Sequence, residues 1–300
     1  MDKVAFLFPG QGIQQEGMGR DLYEGSDTAK FFFEVANEIL GRRITDVMFF
    51  GSEVELMQTY NTQPAVFLYS TVLALSQKTI KPDVVAGHSL GEYAALVISG
   101  AISFEEGLNL VLNRALIAQR VCEKQETAMG AVIGLDDKYV EKRLDELYKE
   151  HNEPIYFANY NGPGQVVITG SKKGVRLACK AFKKEGARKA VPLPIGGSFH
   201  SPYMKEAGDE LAEIIRDTNF NVPSIPIYQC VDGLAHLDPQ KIQTNLINHI
   251  TSAVQWTKMV NNMAKDQVEI FYEVGTDDTL QKIVSRMFPE KTILSLHENY

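Results

Sequence analysis

A five-residue apolar run, Val4 to Phe8, stops at Pro9-Gly10-Gln11-Gly12, a pattern that predicts a buried strand entering a glycine turn. Residues 28–40 then place Phe31, Phe32, Val35, Ala36 and Ile39 at helical spacing, and 63–77 read as a second helix. Residues 82–98 change period within a few positions. A short apolar run ends at Gly87, Ser89 stands between Gly87 and Gly91, and an alanine-rich helical pattern follows, so the order is strand, tight turn, helix. Ser103 with Glu105 and Glu106 marks the next helix start, which the pattern carries to about Lys124.

From Thr127 the character changes. The pattern predicts strands at 129–135, 155–158, 165–169 and 190–193 and helices at 137–150 and 172–185, with a turn over 159–164. That βαββαβ order is a ferredoxin-like split unit inserted into a larger domain, and Pro192 and Pro194 mark its exit. The tail alternates again: helix 203–217, strand 225–231, helices 240–250 and 256–265, strand 269–274, helix 279–287 and strand 292–296. Alternation on both sides of the insertion predicts an α/β fold with one parallel-sheet core. Residues 1–126 and 195–300 form the large subdomain and 127–194 the small one.

The Ser89 turn carries the clearest chemistry. In a nucleophile elbow the serine holds a strained backbone, so the positions two before and two after must be small; Gly87 and Gly91 satisfy this. The turn lifts the hydroxyl above the sheet edge and leaves the Leu90 backbone N–H free for a developing oxyanion. A dinucleotide fingerprint at the first glycine turn fails, because Gln15 occupies the third glycine position.

Composition narrows the classes. A formal net charge of -8 and the lack of a recognisable motif argue against a nucleic-acid binder. Cys122, Cys179 and Cys230 are widely spaced and lack metal-ligand spacing, as for reduced cytoplasmic thiols. No stretch is long and apolar enough for a membrane span, and the first apolar run is too short for a signal peptide core.

Ser89 needs a base, and six histidines are available. His200, in Gly196-Gly197-Ser198-Phe199-His200-Ser201, is best placed by its surroundings, with His249 second; His88 is better suited to orienting the loop. Arg114 lies among Leu108, Val111, Leu112, Ala115 and Ala118, where local pattern favours a snorkelling or ion-paired core arginine. Lys172, Lys173, Arg176, Lys180, Lys183 and Lys184 make one helix face basic. That face fits a solvated surface first and a dock for an acidic partner protein second.

Phe8-Pro9-Gly10-Gln11-Gly12, Gly87-His88-Ser89-Leu90-Gly91-Glu92, Arg114, Asn159-Tyr160-Asn161-Gly162-Pro163-Gly164-Gln165, Ser198-Phe199-His200-Ser201 and Glu273-Val274-Gly275 occur in the order found in malonyl-CoA:acyl carrier protein transacylases. The chain resembles that family over nearly its whole length. The resemblance implies an α/β-hydrolase-like large subdomain and a ferredoxin-like small one, with the active site in the cleft between. It implies that Ser89 is the nucleophile, His200 the base, and the Gln11 and Leu90 N–H groups the oxyanion hole. Arg114 would hold the malonyl carboxylate, with Phe199, Asn159, Asn161 and His249 also at the substrate site. No metal and no permanently bound cofactor are implied. Malonyl-CoA is the substrate, acyl carrier protein with its phosphopantetheine arm the partner, and the resemblance suggests a monomer.

Departures from the family pattern are specific. His249 replaces a customary glutamine, Ala118 a common methionine, and Thr276-Asp277-Asp278 a proline and glycine turn. Phe199 resembles malonyl-selective members, in which a bulky ring leaves little room for an α-methyl group. The leading expectation is malonyl supply for fatty acid synthesis, with a polyketide assembly line as the near alternative. A serine esterase or thioesterase lacks a clear acidic third triad member here, and a carrier-binding module with a relic site is at odds with the Ser89, His200 and Arg114 set.

Overall fold

The first apolar run becomes β1 (Lys3–Phe8), its last four residues buried. In the computed structural model, which describes residues 2–297, it is followed by α1 (Arg20–Gly25), α2 (Asp27–Leu40), α3 (Ile44–Phe50), α4 (Glu53–Leu56) and α5 (Thr59–Ser76). Then come β2 (Val84–Gly87), α6 (Gly91–Ile98), α7 (Phe104–Glu123), β3 (Thr127–Ile133), α8 (Asp137–His151), β4 (Ile155–Gly162), β5 (Gln165–Ser171), α9 (Lys172–Lys184) and β6 (Lys189–Gly196). A 3-10 turn (Pro202–Met204) leads to α10 (Lys205–Asp217), β7 (Ile227–Tyr228), β8 (Ala235–His236), α11 (Pro239–His249), α12 (Trp256–Lys265), β9 (Val268–Glu273), α13 (Thr279–Met287) and β10 (Thr292–Ser295).

Two sheets result. The six-stranded sheet has the order β10-β9-β1-β2-β7-β8, parallel except for β8. β1 pairs Phe8 with Gly87 on one side and Leu7 with Glu273 on the other, so three motif-bearing loops leave the same sheet end. Carboxyl ends of parallel strands are where such sheets place their sites. The four-stranded antiparallel sheet has the order β4-β5-β3-β6, with α8 and α9 supplying the ferredoxin-like crossovers over a separate apolar cluster that includes Val140, Ile168 and Phe182. Among the described residues no helix is long and apolar enough to cross a membrane.

α5 is buried nearly all round, as expected of a helix apolar on every face. Pro64 lies inside it and cannot donate to the carbonyl four residues back. Arg42 Nη2 donates to that Tyr60 carbonyl instead, at 3.0 Å. The gap in the helix ladder is thereby filled, and Gln63 stays aligned with α7.

The structure corrects several boundaries. The expected turn over 159–164 shrinks to Pro163-Gly164, because β4 runs on to Gly162 and pairs with Gln165. Pro192 and Pro194 lie within β6, which runs past the expected residue 193 to Gly196; β6 is an edge strand, where a missing donor faces no partner. The strand expected over 225–231 is only Ile227–Tyr228, since the Cys230 N–H turns away to the Glu92 carboxylate at 2.7 Å. The short helices α1, α3 and α4 have no counterpart in the sequence reading. α4 nevertheless carries a readable Ser52/Glu55 capping box.

Candidate active site

β2 and α6 meet at the elbow with almost no space between them. A Cβ on Gly87 would lie 2.1 Å from the Glu92 nitrogen, and one on Gly91 2.0 Å from the Phe8 carbonyl oxygen. Ser89 between them has φ 52°, the left-handed conformation that side chains disfavour. Leu90 is the N-cap residue of α6, so its N–H has no acceptor within the helix. The loop after β1 presses on this turn: His88 N donates to Phe8 O at 2.8 Å, and a Cβ on Gly10 would meet the His88 carbonyl at 2.8 Å. Gln11 is thus held in the loop beside the elbow. Thr276, one of the departures, hydrogen-bonds the Ile13 carbonyl and braces that loop from the far side.

Ser89 Oγ and His200 Nε2 are 2.6 Å apart. His200 also has positive φ, 60°, and its N–H donates to the Ile250 carbonyl. Its Nδ1 lies 3.1 Å from the His249 carbonyl and 3.0 Å from that of Ser252, so Nδ1 carries the proton and Nε2 is the free base. The preceding loop is tied to the small sheet through Ser198, whose Oγ meets Thr169 Oγ1 at 2.7 Å and Ser201 Oγ at 3.0 Å. Burial pushes the His200 imidazole down to about 3, with the Arg114 charge adding to the effect. The base is therefore unprotonated at neutral pH.

Arg114 is 1% exposed. Nη1 donates to Gln63 Oε1 at 2.6 Å and Nη2 reaches Ser89 Oγ at 3.5 Å; the guanidinium lies over the rings of Phe199 and Tyr93. Among the described residues no carboxylate stands within 4.0 Å of it, and its Nε, the Gln63 Nε2 and the Tyr93 hydroxyl have no partner. A buried cation without a counter-ion is costly. This one sits beside the nucleophile with an unused donor, and among the described residues it shows neither the snorkelling nor the core ion pair that local pattern favours. A cleft lined by Met57, Gln58, Gln119, Cys122 and Gly197 reaches Phe199, whose ring lies against the Arg114 guanidinium.

Asn161 Oδ1 bonds His88 Nε2 at 2.8 Å and Asn159 Nδ2 lies 3.4 Å from the same nitrogen, so both asparagines of β4 act on the loop beside Ser89. His249 is fully buried, its ring edge-on to His200 at 5.3 Å between centroids. Glu92 and Gln63 were not singled out in the sequence. Glu92 lies inside the elbow motif, three residues after Ser89, and its carboxylate accepts from Cys230 N and from Gln229 Nε2 at 3.0 Å. Glu92, Cys230 and His249 offer metal-ligand atoms within 4.8 Å of one another, but both Glu92 oxygens and the Cys230 thiol, which donates to Gly87 O, are engaged in internal hydrogen bonds.

An acyl transferase domain family model matches residues 5–296. A malonyl CoA-acyl carrier protein transacylase of Bacillus subtilis is 38% identical over 96% of this chain and 91% of its own. The chain belongs to the malonyl CoA-acyl carrier protein transacylase family of acyl transferases. Among solved structures, the malonyl CoA-acyl carrier protein transacylase of Coxiella burnetii superposes with a TM-score of 0.94 at 32% identity, covering 98% of this chain and 94% of its own. A malonyl-transacylase solved in complex with a type II PKS acyl carrier protein gives a TM-score of 0.92 at 32% identity, covering 98% and 94% of the two chains. The family's α/β architecture with a separate antiparallel sheet is the one seen here.

Proposed function

We propose that this transacylase-family chain moves a malonyl group from malonyl-CoA to the phosphopantetheine thiol of an acyl carrier protein, for fatty acid synthesis in the cytoplasm. The observation that carries the reading is the buried, counter-ion-free Arg114 guanidinium within 3.5 Å of the Ser89 hydroxyl. Its planar fork suits both oxygens of a carboxylate, whereas an acetyl group would leave it unpaired.

Ser89 Oγ attacks the thioester carbonyl as its proton passes to His200 Nε2. The backbone N–H groups of Gln11 and Leu90 hold the oxyanion. Collapse breaks the C–S bond, the CoA sulfur takes the proton from His200, and Ser89 is left as a malonyl ester. The carrier thiol then gives its proton to His200 and attacks the ester; as the intermediate collapses that proton returns to Ser89 Oγ. Phe199, packed against Arg114, limits room beside the malonyl α-carbon. CoA enters as substrate.

Intact-protein mass after brief mixing with malonyl-CoA, without carrier, tests this. A malonyl adduct that is absent in Ser89→Ala and weak with acetyl-CoA is expected; hydrolysis to free malonate with no adduct would overturn the transfer reading. A polyketide carrier as acceptor is the second reading, favoured by the PKS carrier bound to one structural relative.

A further inference from the structure

The surroundings of Arg114 hold more donors than acceptors. Arg114 Nε, Gln63 Nε2 and the Tyr93 hydroxyl are buried without a hydrogen-bond partner among the described residues, a state that costs free energy at each group. Gln63 is fully buried on α5 and meets the guanidinium through Oε1, 2.6 Å from Nη1. A guanidinium can only donate, so the amide oxygen must face it and the amide NH2 is left over. The residues just before Gln63 are each tied down. Arg42 donates from Nη2 to the Tyr60 carbonyl and from Nη1 to Asn61 Oδ1, Asn61 Nδ2 donates to the Glu55 carbonyl, and the Thr62 hydroxyl donates to the Leu56 carbonyl. Gln63 therefore reaches Arg114 from an anchored turn.

We propose that Gln63 is a specificity-determining residue that aims the Arg114 guanidinium while leaving its charge uncancelled. A buried arginine is ordinarily held by a carboxylate, which fixes the side chain and neutralises it at once. A neutral amide does the first without the second. The proposal rests on the reading of Arg114 as the group that receives the malonyl carboxylate.

The remaining neighbours keep to the same rule. The guanidinium carbon lies 5.9 Å from the centre of the Tyr93 ring and 5.5 Å from that of Phe199, and aromatic faces attract a cation without neutralising it. Arg143, which is less buried, is treated in the opposite way: Glu146, Glu150 and Glu185 all lie within 3.2 Å of its guanidinium. The chain thus surrounds a half-exposed arginine with carboxylates and gives the buried one none among the described residues. Gln63 also selects which edge of the fork stays open. It takes Nη1, so Nε has no partner and Nη2 has only the 3.5 Å approach to Ser89 Oγ. Nε and Nη2 share one edge of the guanidinium plane, and a carboxylate taken there stands beside the nucleophile. A glutamate at position 63 would have the size of the amide, complete the ion pair, and repel a second carboxylate.

The test is the rate of Ser89 acylation by malonyl-CoA and by acetyl-CoA at matched subsaturating concentration, read as the malonyl-to-acetyl ratio in wild type, Gln63→Glu and Gln63→Met. Gln63→Glu should lower the ratio about a hundredfold, because the resident carboxylate occupies the charge that the malonyl carboxylate needs. Gln63→Met removes the acceptor without adding charge and should lower it about tenfold. A fall shared equally by both thioesters, or an unchanged ratio in Gln63→Glu, would make Gln63 a packing residue and overturn the proposal. Should the glutamate variant fail to fold, an unchanged ratio in Gln63→Met overturns it instead. A second arm needs no acyl transfer: sodium malonate is titrated, against sodium chloride of equal ionic strength, while the 15N signal of the Arg114 Nε–H is followed. Malonate should shift that signal in wild type and leave it unmoved in Gln63→Glu; a shift in both proteins or in neither overturns the proposal. A wild type that takes malonate in this way, and loses it in Gln63→Glu, yet loads both thioesters alike would support the role of Gln63 and overturn the malonyl-transfer reading alone.

Discussion

Ser89 and His200, 2.6 Å apart through Oγ and Nε2, both hold left-handed backbone, at φ 52° and 60°. Each such residue costs on the order of 1–3 kcal/mol, and here both costs fall on the reacting pair. Ser89→Gly removes the strain and Ser89→Ala keeps it, while both remove the hydroxyl. Neither should form a malonyl adduct by mass, and the glycine variant should be more stable than the alanine variant by about 1 kcal/mol in urea unfolding. Equal stability would mean that the elbow is not strained.

On the proposed reading, Arg114 selects the acyl group that is loaded. Arg114→Ala should lower malonyl loading by about a hundredfold, because the malonyl carboxylate would then be desolvated without its partner at a cost of roughly 3 kcal/mol. Acetyl loading should fall far less, so the two initial rates converge. Arg114→Lys keeps the charge without the planar fork and should fall between them. Rates with both thioesters across the three proteins provide the check.

The elbow packing predicts a stability effect away from the reacting atoms. Gly87→Ala and Gly91→Ala each force a methyl into backbone, 2.1 Å from the Glu92 nitrogen and 2.0 Å from the Phe8 carbonyl oxygen. Each should destabilise the fold by about 3 kcal/mol and depress loading by displacing Ser89. Thermal and urea unfolding, with the mass assay alongside, measure both effects.

Much of this was legible in the sequence because its signals are local. Gly87 and Gly91 around Ser89, Ser103 with Glu105 and Glu106 at the start of α7, and the helical pattern over 172–185 that becomes α9 each fix an element within a few residues. What was missed depends on contacts distant along the chain. The end of β7 is set by Glu92, 138 residues before the Cys230 N–H it captures. Gln63 becomes a site residue only because α5 packs against α7, bringing it to Arg114 across 51 residues. The Arg114 pattern alone favours a snorkelling or ion-paired core arginine, since one sequence window does not reveal whether a carboxylate arrives from elsewhere.

The contribution of Glu273 to stability should fall as pH rises from about 4.5 to 7. Burial pushes Glu273 up to about 7 from its ordinary 4.5, although the Leu280 and Gln281 N–H groups donate to it at 3.0 and 2.9 Å. In that window the folded chain holds a proton that the unfolded chain has released, so the stabilisation present below 4.5 is lost through 7. Glu92 acts in the same direction. His200, depressed to about 3, acts oppositely: its contribution is present above 6.5 and lost as pH falls toward 3. Glu273→Gln leaves one α13 N–H without its acceptor and so lowers Tm throughout. The discriminating result is the slope of stability against pH, which should become more positive than in the wild type between pH 4.5 and 7.

The basic face of α9 supplies the last prediction. Val175, Ala178, Cys179 and Phe182 are buried against the small sheet, which turns Lys180, Lys183 and Lys184 toward solvent, with Lys183 also reaching the Arg188 carbonyl at 3.1 Å. The chain as a whole is acidic, with formal net charge -8, so this face is a local exception that suits steering of an acidic carrier. Exposed charges act chiefly on encounter and are screened by salt over about 10 Å at 0.1 M. Reversal of Lys180, Lys183 and Lys184 to glutamate should therefore leave malonyl-CoA loading intact and slow transfer to the carrier, with the difference shrinking as salt rises. Stopped-flow transfer rates at two ionic strengths decide it: unchanged transfer and salt dependence would return the face to the role of a solvated surface.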